Sequence, residues 1–450
     1  MKERIRDRLL GMANSNGWDV RQDKTGNVVF AVPGCGSLAN EAILVLQGHM
    51  DMVCEKHSDC NHDFLTDSIP LYMDGDWVRA RGTSLGADNG IALALATAVA
   101  SARMDDRIPL ELLFTVEKET GLKGANNLDP AIIKGRRILN LDSEIEGVFI
   151  IGCAGFLPMS IRLEKKESGT NDAPAVKCII SGLRGGHSRI DIHKNRQNAI
   201  VTGVRLIREL HRVTPGVIVR SLVGGNKVNA IPRECTFVLA DCAIDDVATA
   251  AEETLAMMRQ TEPDSTIELE EVPGAAGQSM IDWSAIEFLL SLPNGVLATD
   301  LNYQGIVETS SNIGIAADEA AHLCIEVMTR SLIDSQMHEV GREIREEATY
   351  ATGSVRTGAL CPSWTPNPDS QLLHESIQVY SALFRDPPEV ESVHARVETG
   401  IIGARLETEE LLSVGPTILY AHSPDERIHI PSVANMFKFL ELFVSATFTD

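Results

Sequence analysis

The architecture of this chain follows from Ala42-Ile43-Leu44-Val45-Leu46, an apolar run that leads through Gln47 into Gly48-His49-Met50-Asp51. Such a run predicts a strand in a sheet that is covered on both faces. His49 and Asp51 follow at its carboxyl end, and their i, i+2 spacing places both side chains on one face. Taken alone, the short pattern favours a histidine that is hydrogen-bonded at a strand terminus. At the end of an open α/β sheet it also suits a metal ligand oriented by a carboxylate.

The same arrangement recurs along the chain, and the recurrence favours metal binding. Carboxylates and imidazoles at the ends of such elements are typical ligands for one or two divalent metal ions. The polar groups that adjoin apolar runs are Glu117-Lys118-Glu119 after residues 109–116, Asp142-Ser143-Glu144 after residues 138–141, His422 after residues 417–421, and Gly86-Ala87-Asp88-Asn89-Gly90 before an apolar helix at residues 91–102.

The composition is that of a globular chain with about two domains. The 450 residues are 44% hydrophobic and 23% charged, which is ordinary for a folded protein. The formal net charge is −23, and no Lys/Arg-rich block offsets it. This charge argues against nucleic acid as a partner, and solubility is sufficient to explain the acidity.

Cysteine usage and the N-terminal residues predict a cytoplasmic protein. The nine cysteines are scattered and form no C-x-x-C pair, so we expect reduced thiols rather than a disulfide framework. The segment Met1-Lys2-Glu3-Arg4 is charged and lacks the apolar core of a signal peptide. No run reaches the ~18 apolar residues of a membrane span, so no membrane partner is expected.

Changes in pattern divide the chain into two domains. Strand and helix patterns alternate up to about residue 151, as in βαβ units, and Gly152-Cys153-Ala154-Gly155 marks a boundary. Two helix-on-sheet patterns then follow each other, which predicts an inserted α+β domain at residues 157–352. Residues 1–156 and 353–450 form an α/β domain, so its site is expected to need both ends of the chain.

Seven motifs follow one another along the chain. They are Gln47-Gly48-His49-Met50-Asp51-Met52-Val53, Gly82-Thr83-Ser84-Leu85-Gly86-Ala87-Asp88-Asn89-Gly90, Asn140-Leu141-Asp142-Ser143-Glu144, Gly152-Cys153-Ala154-Gly155, Gly185-Gly186-His187-Ser188, Asn229-Ala230-Ile231-Pro232-Arg233-Glu234 and His422-Ser423-Pro424-Asp425-Glu426. In this order they are highly specific, and they resemble the Xaa-His dipeptidase family (aminoacyl-histidine or cytosol non-specific dipeptidases), within the di-zinc aminoacylase-like metallopeptidases. The resemblance runs from about Gly17 to the C-terminus and lacks the family's additional N-terminal helix and loop, which predicts a truncated N-terminus.

The resemblance implies a mixed-sheet catalytic domain with helices on both faces, an inserted lid domain, and a centre for two metal ions. Zinc is the expected metal, with cobalt or manganese as substitutes. By resemblance, Asp51 orients the first histidine of this centre. The implied ligands are His49 and Asp142 for one ion, Glu119 and His422 for the other, and Asp88 as the bridge.

Lys118 departs from the family pattern at the position of the general base. The family carries two consecutive glutamates here, and the second of them corresponds to Glu119. A lysine with its usual pKa of ~10.4 does not accept a proton from water at neutral pH, although two nearby cations would lower that pKa. Glu117 is the alternative base, but neighbouring strand positions face opposite ways, so it requires a bulge or a change of register.

The resemblance also suggests groups that contact the substrate. His187 is expected to polarise the scissile carbonyl. Asn229 and Arg330 are candidate substrate contacts, with a turn asparagine and a surface arginine as the alternatives. Glu398 is expected to face the substrate amine. Two arginines depart from family glycines, Arg189 beside His187 and Arg396 near Glu398.

The function implied by the resemblance is metal-dependent hydrolysis of dipeptides, Xaa-His or non-specific, by a homodimeric enzyme. Because of Lys118, two alternatives stay open. The first is a weak or inactive homologue that binds metal and peptides without cleaving them. The second is a deacylase or amidase of N-acyl amino acids, since the same site would serve both reactions. The substrate class comes from the resemblance alone.

Overall fold

A computed structural model describes residues 2–167, 174–273, 279–300, 306–393 and 397–448. The chain divides into two compact units: residues 1–153 with 364–450 form the first unit, and residues 154–363 form the second unit. The predicted boundaries at residues 157 and 352 fall inside the second unit. It extends further because a strand at Gly353–Thr357 pairs with the long strand Gly155–Glu167.

Helices and strands alternate along much of the first unit, whereas in the second unit several strands follow one another between helices. The helices are α1 (Lys2–Ser15), α2 (Ala87–Ser101), α3 (Lys123–Asn126), α4 (Ala199–Val213), α5 (Ile244–Met258), α6 (Trp283–Ser291), α7 (Asp334–Tyr350), α8 (Gln371–Phe384), α9 (Glu398–Leu406) and α10 (Ile430–Ser445). The strands are β1 (Asp19–Gln22), β2 (Val28–Val32), β3 (Leu44–His49), β4 (Leu71–Asp74), β5 (Trp77–Ala80), β6 (Leu110–Thr115), β7 (Arg137–Asn140), β8 (Val148–Cys153), β9 (Gly155–Glu167), β10 (Ala175–Ser181), β11 (Gly186–His187), β12 (Ile218–Gly224), β13 (Ala230–Ile231), β14 (Cys235–Ala240), β15 (Thr266–Val272), β16 (Ser279–Ile281), β17 (Gly295–Thr299), β18 (Val307–Asp318), β19 (His322–Ser331), β20 (Gly353–Thr357), β21 (Glu389–Val393), β22 (Leu411–Ser413), β23 (Ile418–Leu419) and β24 (Arg427–His429).

The main sheet of the first unit is mixed, in the order β1-β2-β6-β3-β7-β22-β8-β21. Its central strands β6, β3, β7 and β22 are parallel to one another, and β1 and β2 are antiparallel at one edge. In this register His49 lies opposite Thr115, and Gln47 lies opposite Asn140. Because parallel strands end at the same edge of a sheet, the residues that follow β3, β6 and β7 emerge side by side.

Helices cover both faces of this sheet. On one face Val45 and Leu113 pack in a buried cluster with Ile402 of α9. On the other face Gly48 lies against α2. A Cβ atom added to Gly48 would come within 2.7 Å of the side chain of Ala92 in that helix. Gly48 therefore lets α2 approach β3 closely. A smaller sheet of the same unit, β23-β24-β5-β4, presents the turn that carries His422.

The second unit is an antiparallel sheet with helices packed on it. The strand order is β15-β10-β14-β12-β16-β9-β19-β18-β17, with β20 paired to β9. Helices α4 to α7 contribute to its buried core, with Ile200 and Ile344 among the residues that are almost fully buried. Strands β12 and β14 pair as predicted on either side of Gly224-Gly225-Asn226, but their connection is long and includes β13. Strand β13 pairs with β11, which brings Ala230 opposite His187.

Candidate metal centre

The first unit gathers the predicted ligand residues at the carboxyl edge of its main sheet. His49 ends β3, while Glu119 and Asp142 follow β6 and β7 within a few residues. Asp88 lies at the start of α2, and His422 follows β23 of the smaller sheet, in a left-handed turn with φ of 63°. Among the described residues, two groups can each hold a metal ion, with ligand atoms within 4.8 Å of one another. We name them the first trio, His49, Asp88 and Asp142, and the second trio, Asp88, Glu119 and His422.

The two imidazoles point their Nε2 atoms at carboxylate oxygens. In the first trio, His49 Nε2 lies 3.0 Å from Asp88 Oδ1 and 3.5 Å from Asp142 Oδ1. In the second trio, His422 Nε2 lies 2.8 Å from Asp88 Oδ2 and 3.2 Å from Glu119 Oε1. Asp88 thus offers one oxygen to each trio, which is the geometry required of a bridging ligand.

The environment of His49 fixes which of its nitrogens is available as a ligand. Its Nδ1 lies 2.9 Å from the backbone carbonyl oxygen of Asp51, which can only accept a hydrogen bond. The neutral ring therefore carries its proton on Nδ1 and has a lone pair on Nε2. That lone pair faces oxygens of Asp88 and Asp142, so several acceptors converge on one space. A cation satisfies all of them, and the nitrogen and carboxylate donors suit zinc and similar divalent ions.

Asp51 was expected to orient His49, and two of its oxygens face Nδ1 of that ring. The backbone carbonyl of Asp51 takes the hydrogen bond at 2.9 Å, and a carboxylate oxygen lies 3.7 Å from the same nitrogen. The carboxylate also accepts the backbone N–H groups of Lys118 and Glu119, both at 3.0 Å. Asp51 therefore links the two trios, because its backbone orients His49 and its side chain fixes the turn that carries Glu119.

Lys118 lies among the ligands themselves. Its Nζ is 2.8 Å from Glu119 Oε1, 3.4 Å from Asp142 Oδ2 and 3.5 Å from Asp88 Oδ1. Burial alone would lower the pKa of Lys118, but the negative charges of Asp142, Asp88 and Glu119 outweigh it and raise that pKa above its ordinary value. The lowering expected from the sequence depended on two nearby metal ions, whereas the carboxylates that surround the ammonium group act in the opposite direction.

Glu117 was the alternative candidate for the general base. It has a left-handed backbone conformation with φ of 53°, as expected where the chain leaves β6 irregularly. Its Oε2 lies 2.8 Å from Nζ of Lys123, an exposed side chain. The carboxylate of Glu117 is thus engaged by Lys123, and neither trio includes it.

Protonation equilibria in the cluster reflect its density of carboxylates. Hydrogen bonds to Asp88 and Glu119 raise the pKa of His422 to about 10. The pKa of Asp88 is held below its ordinary range because hydrogen bonds from His422 and His49 and the charge of Lys118 outweigh its burial.

Two polar residues support the ligands from behind, and the sequence patterns did not identify them as functional. The buried carboxylate of Glu426 accepts the backbone N–H groups of Leu85, Gly86 and Asp88 at 2.7, 2.9 and 3.1 Å. Asn89 accepts the backbone N–H of His49 at 3.0 Å and donates to the carbonyl of Leu141 at 3.1 Å. These bonds fix the ends of β3 and α2 relative to one another. Glu426 lies in the motif that begins at His422, which was the available signal.

Glu398 was expected to face a substrate amine, and the structure places its side chain in the core. It is fully buried, and its Oε2 accepts hydrogen bonds from Gln47 Nε2 at 2.8 Å and Thr115 Oγ1 at 2.7 Å. Burial raises the pKa of Glu398 to about 7, although the charge of His49 and these hydrogen bonds oppose the shift. Glu398 therefore braces β3 and β6 from within the core. Arg396, the nearby departure from the family pattern, lies outside the described residues.

The second unit holds the other predicted contacts. The backbone N–H of Arg189 donates to His187 Nδ1 at 3.0 Å, so the ring proton is on Nε2, 3.4 Å from the amide nitrogen of Asn229. Burial and the charges of Arg189 and Arg330 lower the pKa of His187. Arg330 is not a surface arginine: it is 6% exposed, and its guanidinium lies 5.4 Å from the centre of the Phe156 ring.

The described helices include none that combines the length and apolar character needed to cross a membrane.

Comparisons with known proteins agree with the fold. The chain is 33% identical to the cytosol non-specific dipeptidase of Escherichia coli strain K12 over 448 residues, which cover 98% of this chain and 92% of that protein. The crystal structure of aminoacylhistidine dipeptidase from Vibrio alginolyticus matches with a TM-score of 0.92 and 31% identity, covering 100% of this chain and 93% of that one. Aminopeptidase PepT from Bacillus cereus shares the fold, with a TM-score of 0.58 and 14% identity over 98% of this chain and 91% of that one.

These matches confirm the fold class and the resemblance that the motifs predicted. The sequence model of one protein family, described as Peptidase family M20/M25/M40, matches residues 45–446. This range includes every residue of both trios. The chain belongs to peptidase family M20/M25/M40.

Proposed function

We propose that this chain is a metal-dependent dipeptidase, with dipeptides that end in histidine among its substrates. The observation that carries the proposal is the convergence of two imidazoles and three carboxylates on two adjoining positions. The relatives at 33% and 31% identity are named for dipeptide hydrolysis, which supports the same substrate class. A cytoplasmic location and a homodimer accompany the proposal as predictions from the resemblance.

The donor set supports divalent ions, with zinc as the first choice. Each trio combines one imidazole nitrogen with carboxylate oxygens, a mixture that zinc, cobalt and manganese accept. When bound, such ions polarise a carbonyl group and acidify water. The chain itself contributes the shared carboxylate of Asp88, the buried Nε2 of His49 and the turn that Asp51 fixes.

Lys118 sets the expected rate of turnover. Its ammonium group has no lone pair and cannot accept a proton from an attacking water, and Glu117 is held by Lys123. A positioned acid–base group typically contributes ~10²–10⁴ in rate, so we expect weak activity on this scale. Lys118→Glu is expected to raise the turnover number by at least ~10-fold.

The second unit offers groups suited to a peptide. His187 presents an N–H on Nε2, and Asn229 adds an amide beside it, which suits a carbonyl oxygen. The buried guanidinium of Arg330 has no hydrogen-bond partner for its Nε among the described residues, which suits a carboxylate of the substrate. We propose these residues as substrate contacts.

The proposal is tested by steady-state hydrolysis of a panel of dipeptides, with and without a C-terminal histidine, alongside N-acyl amino acids. We expect zinc-dependent cleavage of dipeptides that is lost on chelation and in the His49→Ala variant. Faster cleavage of N-acyl amino acids would identify a deacylase instead. Bound zinc without any turnover, in the chain as it stands and in Lys118→Glu, would favour a peptide-binding homologue.

A further inference from the structure

Lys118 occupies a particular place in the cluster. Its ammonium contacts Asp142, which belongs to the first trio alone, Glu119, which belongs to the second trio alone, and Asp88, which both share. A group that contacts one ligand from each trio and also the ligand that both trios share lies between the two metal positions. The side chain is largely buried, at 15% exposure, and Asp51 holds its backbone N–H.

The charge of the cluster matches one divalent ion rather than two. The three carboxylates that contact the ammonium carry three negative charges, and Lys118 cancels one of them. With both imidazoles in the neutral form that binds metal, the remaining two negative charges are balanced by a single divalent cation. A second divalent ion would leave two positive charges in excess, next to an ammonium group in a partly buried site, where charge repulsion is poorly screened.

We propose that Lys118 is a resident cation that replaces one of the two divalent ions, so that the chain holds one ion tightly, in the first trio. The proposal rests on the ligand residues of the proposed function but on no property of the turnover. The first trio is favoured because the ammonium lies nearer to Glu119 of the second trio than to Asp142 of the first. The His49 ligand is also fully buried, whereas the His422 side chain is 46% exposed.

A glutamate at position 118, as in the family pattern, would favour two ions instead of one. With a carboxylate in place of the ammonium, the same groups would carry four negative charges, which two divalent ions balance. The Lys118→Glu substitution should therefore convert the site from one tight ion to two. Lys118→Met removes the positive charge at similar volume and should strengthen the second position without adding a ligand.

The test is the stoichiometry of zinc binding to the full chain, measured by titration calorimetry and by elemental analysis after dialysis against zinc alone. We expect about one tight equivalent in the chain as it stands, since a single divalent ion balances the cluster. In Lys118→Glu we expect two, with the second site tightened by at least ~10-fold, the size of effect that groups around a metal typically produce. Lys123→Met is the matched control, because Lys123 is exposed and pairs with Glu117 outside the trios, and it should leave one equivalent.

Loading with Co²⁺ gives a second readout that is independent of activity. Magnetic coupling between two cobalt ions should be absent in the unsubstituted chain and present in Lys118→Glu. Two equally tight zinc ions in the unsubstituted chain would overturn the proposal, because Lys118 would then have left its position. This measurement needs no variant, so misfolding of a substituted chain does not affect it.

The outcomes also separate this proposal from the proposed function. One bound ion without hydrolysis of any dipeptide would leave the resident cation standing and refute the dipeptidase. Zinc binding in none of the chains, all of them folded by circular dichroism, would overturn the resident cation together with the ligand assignment.

Discussion

The two trios share Asp88 but differ in how their histidines are held. His49 is the last residue of a buried parallel strand, its side chain has no exposed surface, and its Nδ1 and backbone N–H both have fixed partners. His422 lies in a left-handed turn after a strand of only two residues, and its side chain is 46% exposed. The first trio is therefore held by the core of the main sheet, and the second by turns near the surface.

This difference shows how the same types of ligand residue can give two sites that differ in rigidity. A ligand that is fixed before a metal arrives loses little freedom on binding, whereas a ligand on a turn must be ordered at that moment. The rigid trio also has the more buried carboxylate, since Asp142 is 5% exposed and Glu119 12%. We expect the first trio to dominate metal affinity, and the following predictions test that inequality in order of decreasing effect.

The largest expected effect comes from removing one histidine at a time. His49→Ala should weaken tight zinc binding by more than the ~100-fold that groups behind a ligand can cost, whereas His422→Ala should weaken it by roughly ten-fold. Competition with a chromophoric chelator measures both values. The exposed His57 provides the control variant His57→Ala, which should bind zinc normally. Equal losses in the two variants would remove the inequality between the trios.

Glu426→Gln should affect both trios alike, since Glu426 supports Asp88. The amide has one acceptor oxygen for the three N–H groups that the carboxylate now accepts. We expect zinc affinity to fall by roughly ten-fold and the free energy of unfolding to fall by ~1–3 kcal/mol, the cost of unsatisfied buried donors. Asp425→Asn, at an exposed neighbour, is the control. Unchanged zinc binding in Glu426→Gln would show that Asp88 needs no such support.

Asp51→Asn should separate the second trio from the first. An asparagine keeps the backbone carbonyl that orients His49 but offers one side-chain oxygen to the two N–H groups of Lys118 and Glu119. We expect dipeptide hydrolysis to fall by roughly ten-fold, while the dissociation constant of the tight zinc ion changes less. Parallel kinetics and zinc titrations provide both numbers. A larger loss in zinc affinity than in turnover would mean that the carboxylate serves His49 after all.

The smallest effect concerns Glu398, which lies beneath the first trio. Because burial raises its pKa to about 7 from an ordinary 4.5, the folded chain binds this proton more tightly than the unfolded chain does. Its contribution to stability is fully present below pH 4.5 and is lost as the pH rises through 7, by at most ~1.4 kcal/mol per pH unit.

Glu398→Gln removes this dependence, so the variant should lose less stability than the unsubstituted chain between pH 5 and pH 7. Urea unfolding of both proteins at the two pH values measures the difference. Identical pH dependence in both would show that Glu398 titrates normally in the folded state.

The residues proposed as ligands could be recognised in the sequence because each one is marked locally. An apolar strand followed by His49 or Asp142 needs only neighbouring residues to be recognised, and parallel strands bring such ends together. What the sequence missed depends on contacts between distant segments. Glu426 meets the start of α2 from the far end of the chain. The pKa of Lys118 likewise reflects carboxylates from three separate elements.

Some elements of the fold escaped prediction for reasons of pattern. Helix α9 is short and buried on almost every side, so it lacks the apolar stripe of an amphipathic helix. Strand β9 contains Pro158, which ordinarily argues against a central strand. It is nevertheless paired with β16, β19 and β20, and the carbonyl of Pro158 accepts the N–H of Gly358. Here tertiary pairing overrides the local signal.

The position of β22 has a consequence for the order of events during synthesis. Strands β7 and β8 follow each other closely in the chain, yet β22 lies between them in the sheet. A ribosome that has finished β8 must still make the entire second unit before β22 emerges to fill that gap. Such late, long-range pairing delays folding, so the main sheet cannot be completed until the last tenth of the chain has been synthesised.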